Sequence, residues 1–160
     1  MEKLINSYFL YPSKIFVSRI PVNVITILGS CVSVCLWDRK ERFGGINHFM
    51  LPLWNGKELA SPKYGNIAIE RLMAKMIEYG ANKKNLVAKL FGGSESVEFN
   101  KSVFHTGKRN IEIAHELLSD EKIQIVNECT GSAFARRILF RTSTGEVLMK
   151  FVNKQEFILM

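Results

Sequence analysis

This chain of 160 residues is short of long apolar runs, of cysteine and of concentrated charge, and each scarcity excludes something. No apolar stretch approaches the roughly 20 residues that a membrane-crossing helix needs, so no membrane insertion is expected. The N-terminus, Met1-Glu2-Lys3-Leu4, has neither the basic start nor the small-residue cleavage site of a secretion signal, so a cytoplasmic location is expected. Three cysteines, Cys31, Cys35 and Cys129, cannot all pair within the chain, which argues for free thiols in a reducing compartment. Repeats, low-complexity stretches and linkers are missing as well, so residues 1–160 read as one domain. Lysine and arginine outnumber aspartate and glutamate by 22 to 15, but they are scattered, with short clusters such as Lys83-Lys84, Lys108-Arg109 and Arg136-Arg137. Without a polybasic arm, a basic surface suited to an acidic partner is a better reading than a nucleic-acid footprint, and no nucleic-acid partner is expected.

What is present is a strand-rich globular pattern, with 47% hydrophobic and 23% charged residues. Residues 14–18 and 22–30 read as strands on either side of Pro21. Residues 31–38 alternate Cys31, Ser33, Cys35 and Trp37 on one face with Val32, Val34 and Leu36 on the other. The charged turn 38–45 leads into residues 46–51 as the second arm of an antiparallel hairpin. Ile69, Leu72, Met73, Met76 and Ile77 fall at helical spacing, with Asn66 placed to cap the start and Gly80 to end the helix. A strand over 85–91, a second helix over 110–120, a strand over 122–128 and a hairpin turning at Ser143-Thr144-Gly145 complete the order. About seven strands to two helices predict an α+β fold: mixed, mostly antiparallel sheets with helices on one face, in an α/β/β sandwich.

Two residues raise a chemical question. Cysteine inside an apolar strand is ordinarily a small buried hydrophobe, and Cys35, between Val34 and Leu36, fits that role; Cys129 reads as structural too. Cys31 follows Gly29-Ser30, where the backbone can turn sharply or be approached closely, so its thiol need not be sealed in the core. A nucleophile needs that reach, backbone N–H groups for an oxyanion (those of Ser30 and Cys31), and a base that raises the thiolate fraction. His48 on the neighbouring arm of the hairpin is placed to be the base. The alternatives are two ordinary core residues, or a zinc site from Cys31, Cys35, His48 and Cys129; three intervening strand residues set Cys31 and Cys35 too far apart for one ion. No metal and no cofactor are expected. His105 and His115 read as structural or surface residues. Asn110 is placed to cap the second helix, and Arg109 to order its loop or meet a substrate acid group.

The stretch Leu28–Asp38 with Gly44–Pro52 resembles the signature of the CheD-type chemoreceptor glutamine deamidases of bacterial chemotaxis. The likeness continues through residues 8–18, 63–93, His105–Asn110 and 128–147, nearly end to end and in order. The resemblance implies a cysteine hydrolase that converts glutamine side chains in the cytoplasmic helices of chemoreceptors to glutamate through a thioester. Cys31 falls on its nucleophile and His48 on its general base. The third catalytic position of the family, a threonine in the preceding strand, aligns with Ile25, and Thr26 lies one place later. On a strand one place means the opposite face, so either a bulge brings Thr26 round or Ser30, Asn47 or a backbone carbonyl orients His48. Two family glycines are serines here: Ser13 after Pro12, and Ser132 after Thr130-Gly131. The partners implied are chemoreceptor helices, which are typically rich in glutamate, and a CheC-type phosphatase. Competing functions are hydrolysis of glutamyl methyl esters on the same receptors, and a non-catalytic module that binds the phosphatase.

Overall fold

A computed structural model describes residues 4–95 and 105–160. Ten strands and two α-helices form three layers among these residues. An outer sheet contains β1 (Asn6–Phe9), β3 (Val22–Leu28), β8 (Arg136–Arg141), β9 (Val147–Phe151) and β10 (Ile158–Leu159), in the order β1-β3-β8-β9-β10. An inner sheet contains β2 (Ile15–Ser18), β4 (Val32–Asp38), β5 (Phe43–Asn47), β6 (Leu86–Gly92) and β7 (Gln124–Thr130), in the order β2-β5-β4-β6-β7. Only β1–β3 and β6–β7 pair in parallel; the other ladders are antiparallel. Helices α1 (Gly65–Glu78) and α2 (Thr106–Asp120) cover the inner sheet on the side away from the outer sheet. The architecture is the expected α+β, α/β/β sandwich.

The alternation in β4 explains the layering. Val32, Val34 and Leu36 point to the helices, where Ala68, Ile69, Leu72 and Met76 of α1 and Ala114 and Leu118 of α2 complete one core. Cys31 and Cys35 point to the outer sheet, against Val24, Leu28, Ile138 and Phe140. A central strand buried on both faces leaves almost none of its residues in water, and Val32, Val34 and Leu36 are fully buried.

Three local expectations need correction. Helix α1 starts at Gly65 with Tyr64 as its cap residue; Asn66 instead accepts the Trp54 N–H through Oδ1, at 3.0 Å. Its end is as expected: Gly80, at φ 108°, donates to Ile77 O and Ala81 to Met76 O, closing the last turn. Helix α2 begins at Thr106, four residues before Asn110, with His105 left-handed at its cap position. Gly107 permits this early start, because a Cβ there would lie 2.6 Å from the Gly93 and Ser94 carbonyl oxygens. Strands β1 and β10 were not anticipated; all their residues are exposed, so they carry no inside–outside pattern.

Candidate active site

The hairpin forms as the sequence suggests and carries Cys31 and His48 to the same side. Cys35 pairs with Ile46, and beyond the end of β5 the isolated bridge Val32↔Phe49 preserves that register. Cys31 therefore stands opposite Met50, and His48 is its diagonal neighbour on the same face, at a typical Cα spacing of about 7–8 Å. That face looks into the gap between the sheets. His48 is 2% exposed, whereas Cys31 keeps part of its surface in solvent. The His48 backbone is held from the other side as well: its N–H donates to Lys14 O and its carbonyl accepts from Ser13 N.

Thr26 reaches His48 from the outer sheet. Its Oγ1 lies 2.7 Å from His48 Nδ1 and donates to Leu10 O at 2.8 Å. No bulge is involved. The β3–β8 ladder is unbroken from Asn23↔Arg141 to Leu28↔Arg136, and Thr26 faces inward with Val22, Val24 and Leu28. Ile25 faces outward, so the inward position is the one after it. Asn47, another candidate to orient the ring, instead accepts the Val34 N–H.

This arrangement fixes the imidazole's proton. A hydroxyl has one hydrogen to give, and Leu10 O can only accept. Thr26 gives its hydrogen to Leu10 O and accepts from Nδ1–H, which leaves the Nε2 lone pair bare. Nε2 is buried and has no hydrogen-bond partner among the described residues. Burial lowers the His48 pKa to about 4, so the ring is neutral at pH 7. The Cys31 thiol moves the opposite way: burial raises its pKa, opposed only in part by a hydrogen bond from its own backbone. Burial thus works against the thiolate that a neighbouring imidazole would favour. Ring and thiol are both neutral at rest, and the ring is set to accept a proton.

The loop bearing Cys31 is pinned from below. Gly93 N donates to Cys31 O and Ser94 N to Gly29 O, both at 2.9 Å. A Cβ on Gly92, at φ 111°, would stand 2.2 Å from Cys31 O, so this close approach requires glycine. The fully buried Asn110 donates through Nδ2 to Ser30 O at 2.9 Å and Met50 O at 3.0 Å, joining the segments that carry thiol and imidazole. Asn110 thus orders the loop from inside α2 and does not cap it. Arg109 is exposed and has no side-chain hydrogen bond or ion pair among the described residues. The amides of Ser30 and Cys31 donate to no backbone carbonyl among the described residues. Among the described residues nothing lies within 4 Å of a Cβ built on Gly29, which leaves room for an incoming chain to approach closely. Gly93 also borders a shallow cleft of ≈ 370 Å³, lined further by Glu95, Lys108, Ile111, Gly131 and Ser132.

The remaining candidates lie elsewhere. Cys35 is buried in the inter-sheet core, its thiol pKa pushed far up by burial. Cys129 Sγ accepts from the buried Arg136 guanidinium at 3.2 Å. Among the described residues no group of three or more His, Cys, Asp or Glu is gathered as a metal site. His115 pairs with Glu128 at 3.0 Å on the surface, and His105 faces Glu95 at 3.4 Å. No helix among the described residues is long and apolar enough to cross a membrane.

Ser13 and Ser132 both adopt the left-handed backbone, at φ 68° and 71°. A side chain there costs about 1–2 kcal/mol, and glycine gives back part of that through its freer unfolded chain. Ser13→Gly is expected to raise unfolding stability by about 0.5–1 kcal/mol. Ser132→Gly should gain less, since Ser132 Oγ accepts the Phe134 N–H at 3.2 Å. Chemical denaturation of the two variants checks both values.

Residues 50–151 match the family model described as CheD chemotactic sensory transduction. Proteins called probable chemoreceptor glutamine deamidase CheD are similar over most of the chain. The one from Sulfurimonas denitrificans is 45% identical, covering 93% of this chain and 96% of that protein. The one from Trichlorobacter lovleyi is 46% identical, over 91% and 90%, and that of Rhodospirillum rubrum 40% identical, over 91% and 82%.

Proposed function

This chain belongs to the CheD family, and from that premise we propose that it hydrolyses glutamine side chains of chemoreceptors to glutamate, in the cytoplasm. The observation that carries the reading is the His48 ring, neutral, with Nδ1–H held by Thr26 and Nε2 bare on the face it shares with Cys31. Cys31 is the nucleophile, His48 the general base, and Thr26 the residue that positions the base.

Nε2 takes the thiol proton as Sγ attacks the carboxamide carbon. The C=O electron pair moves onto oxygen, and the Ser30 and Cys31 amides are the donors that receive that charge. The C–N bond then breaks, and ammonia leaves with the proton from Nε2, giving a thioester. Water attacks the thioester carbon as Nε2 takes its proton; the C–S bond breaks and the proton returns to sulfur. Glutamate and the resting pair remain. The neutral pair suits this course, because the thiolate forms only as the bond to carbon does. A CheC-type phosphatase, if it binds, would meet the same open rim above Gly29 as a pseudo-substrate.

The test is a receptor cytoplasmic fragment incubated with the protein in ¹⁸O-water and read by peptide mass spectrometry. Glutamine should convert to glutamate carrying one ¹⁸O, with one ammonia released per site. Release of methanol from methylated glutamates without ammonia would identify an esterase, and no conversion at all would overturn the hydrolase reading.

A further inference from the structure

The outward face of the outer sheet carries an apolar row that the chemistry above does not use. Phe9 pairs with Ile25, Ile25 with Leu139, Leu139 with Leu148 and Leu148 with Leu159, one residue from each of the five strands. Directly paired residues share a face, and the alternate residues Val24, Phe140, Val147 and Met149 are buried inward. The row therefore crosses the whole sheet on its outer side. Its ends, Phe9 and Leu159, are 43% and 59% exposed.

Charge borders this row unequally. On one side Arg137 pairs directly with Lys150 and neighbours the exposed Ile27. On the other, Arg141 is neutralised by Glu146 at 2.9 Å. Like charges placed opposite each other destabilise a sheet, and Arg137 has no ion-pair partner among the described residues. Lys150 rests on the Phe157 ring, 4.8 Å from its centroid. An unrelieved cationic pair along one flank of an apolar stripe is complementary to carboxylates along one flank of another.

We propose that this face docks an amphipathic helix of a protein partner whose apolar stripe is bordered by carboxylates on the side that meets Arg137 and Lys150. Five strands at about 4.8 Å spacing make a row about 19 Å long, the length of roughly 13 helical residues. A stripe about one residue wide with charged flanks matches the i, i+3, i+4, i+7 face of a helix better than it matches a lipid surface. From Ile25 to Cys31 is six residues of chain, through the end of β3 and the bend at Gly29-Ser30, so the two lie at most about 20 Å apart and one bundle of helices can touch both. The identity of the partner as the receptor substrate rests on the proposed function; the chemistry of the face does not.

The experiment measures binding of a labelled receptor cytoplasmic fragment by fluorescence anisotropy, using the full chain carrying Cys31→Ala so that no turnover intervenes. Two outward-facing pairs are compared: Leu139→Glu with Leu148→Glu, and Arg137→Glu with Lys150→Glu. Each pair should weaken binding about tenfold or more, and only the charge-reversal pair should also lose the salt dependence of the parent. In the chain with Cys31 intact, both pairs should raise KM for the fragment and leave turnover of a short glutaminyl peptide unchanged. Circular dichroism checks that each folds; the surface Arg137–Lys150 pair keeps the test alive if the leucine pair does not. Unchanged affinity in both pairs, or no binding of the fragment by the parent, overturns the proposal. So does a parent dimer that dissociates in the Leu148→Glu chain, or capture by anionic vesicles through the same residues. Binding without conversion by the chain with Cys31 intact would sink the hydrolase reading and leave docking to be judged by these variants.

Discussion

Cys31→Ala is expected to lower receptor deamidation by at least about 10³-fold, with substrate binding and folding nearly unchanged. Cys31 sits at the rim, partly exposed, so losing its sulfur opens no deep cavity, and stability should hold within about 1 kcal/mol. The neighbouring thiols cannot substitute. Cys35 is sealed between the sheets, and Cys129 is held by Arg136. Activity in the Cys31→Ala chain comparable to the parent would remove the thiol from the mechanism.

The pH profile of the parent follows from the same pair. A base that must accept a proton works only while unprotonated, and His48 is neutral down to about 4. The rate should therefore stay level from about pH 5 through neutrality, with an acid limb near 4 and no bell centred on the ordinary imidazole pKa of about 6.5. Stability moves over a related window. The folded pKa of His48 lies below its unfolded value, so the unfolded chain takes up the proton first as pH falls. The contribution is complete above about 6.5 and lost toward 4, up to about 3 kcal/mol. The acid limb is thus read alongside circular dichroism, to separate loss of base from loss of fold. Alkylation by iodoacetamide should be slow at pH 7 and climb into the alkaline range, because burial raises the Cys31 thiol.

The part of this site that lay open in the sequence is the part governed by strand alternation. Val32, Val34 and Leu36 against Cys31 and Cys35 is a two-residue period, and the short charged turn after Asp38 makes an antiparallel partner of the segment holding His48. Those two facts put thiol and imidazole on one face. The same period in Val22, Val24, Thr26 and Leu28 was available too. It places Thr26 inward without any bulge, and Ile25, the position that aligns with the family's threonine, outward. Asn110 is different: its partners, Ser30 O and Met50 O, are 80 and 60 residues away in the chain. No local propensity records such a reach, and an asparagine near a helix start reads as a cap. The Gly29-Ser30 step was legible too: the chain bends there, and among the described residues nothing crowds a Cβ built on Gly29. Gly92 and Gly107 are the residues whose lack of a Cβ lets the 92–94 segment press against the nucleophile loop.

Thr26→Val is expected to cut kcat about 10²-fold while KM stays within about twofold, and Thr26→Ser to restore most of the loss. Valine keeps the shape of threonine but removes the oxygen that accepts Nδ1–H. The buried ring then gains by moving its proton to Nε2, the atom that must receive the thiol proton, or by rotating toward another acceptor. Either change reduces the fraction of enzyme with a bare Nε2 on the face His48 shares with Cys31. The effect should be smaller than loss of a buried aspartate from a serine-hydrolase triad, about 10⁴-fold, because a hydroxyl brings no negative charge to stabilise the imidazolium. Leu10 O also loses its donor, so a stability cost of about 1–2 kcal/mol is expected from unpaired polar groups. A role confined to packing would leave valine, the closer match in shape and polarity to a core, at least as active as serine. Proton position separates the two accounts directly. The ¹⁵N shifts of His48 should report Nδ1–H in the parent and in Thr26→Ser, and a mixture of tautomers in Thr26→Val.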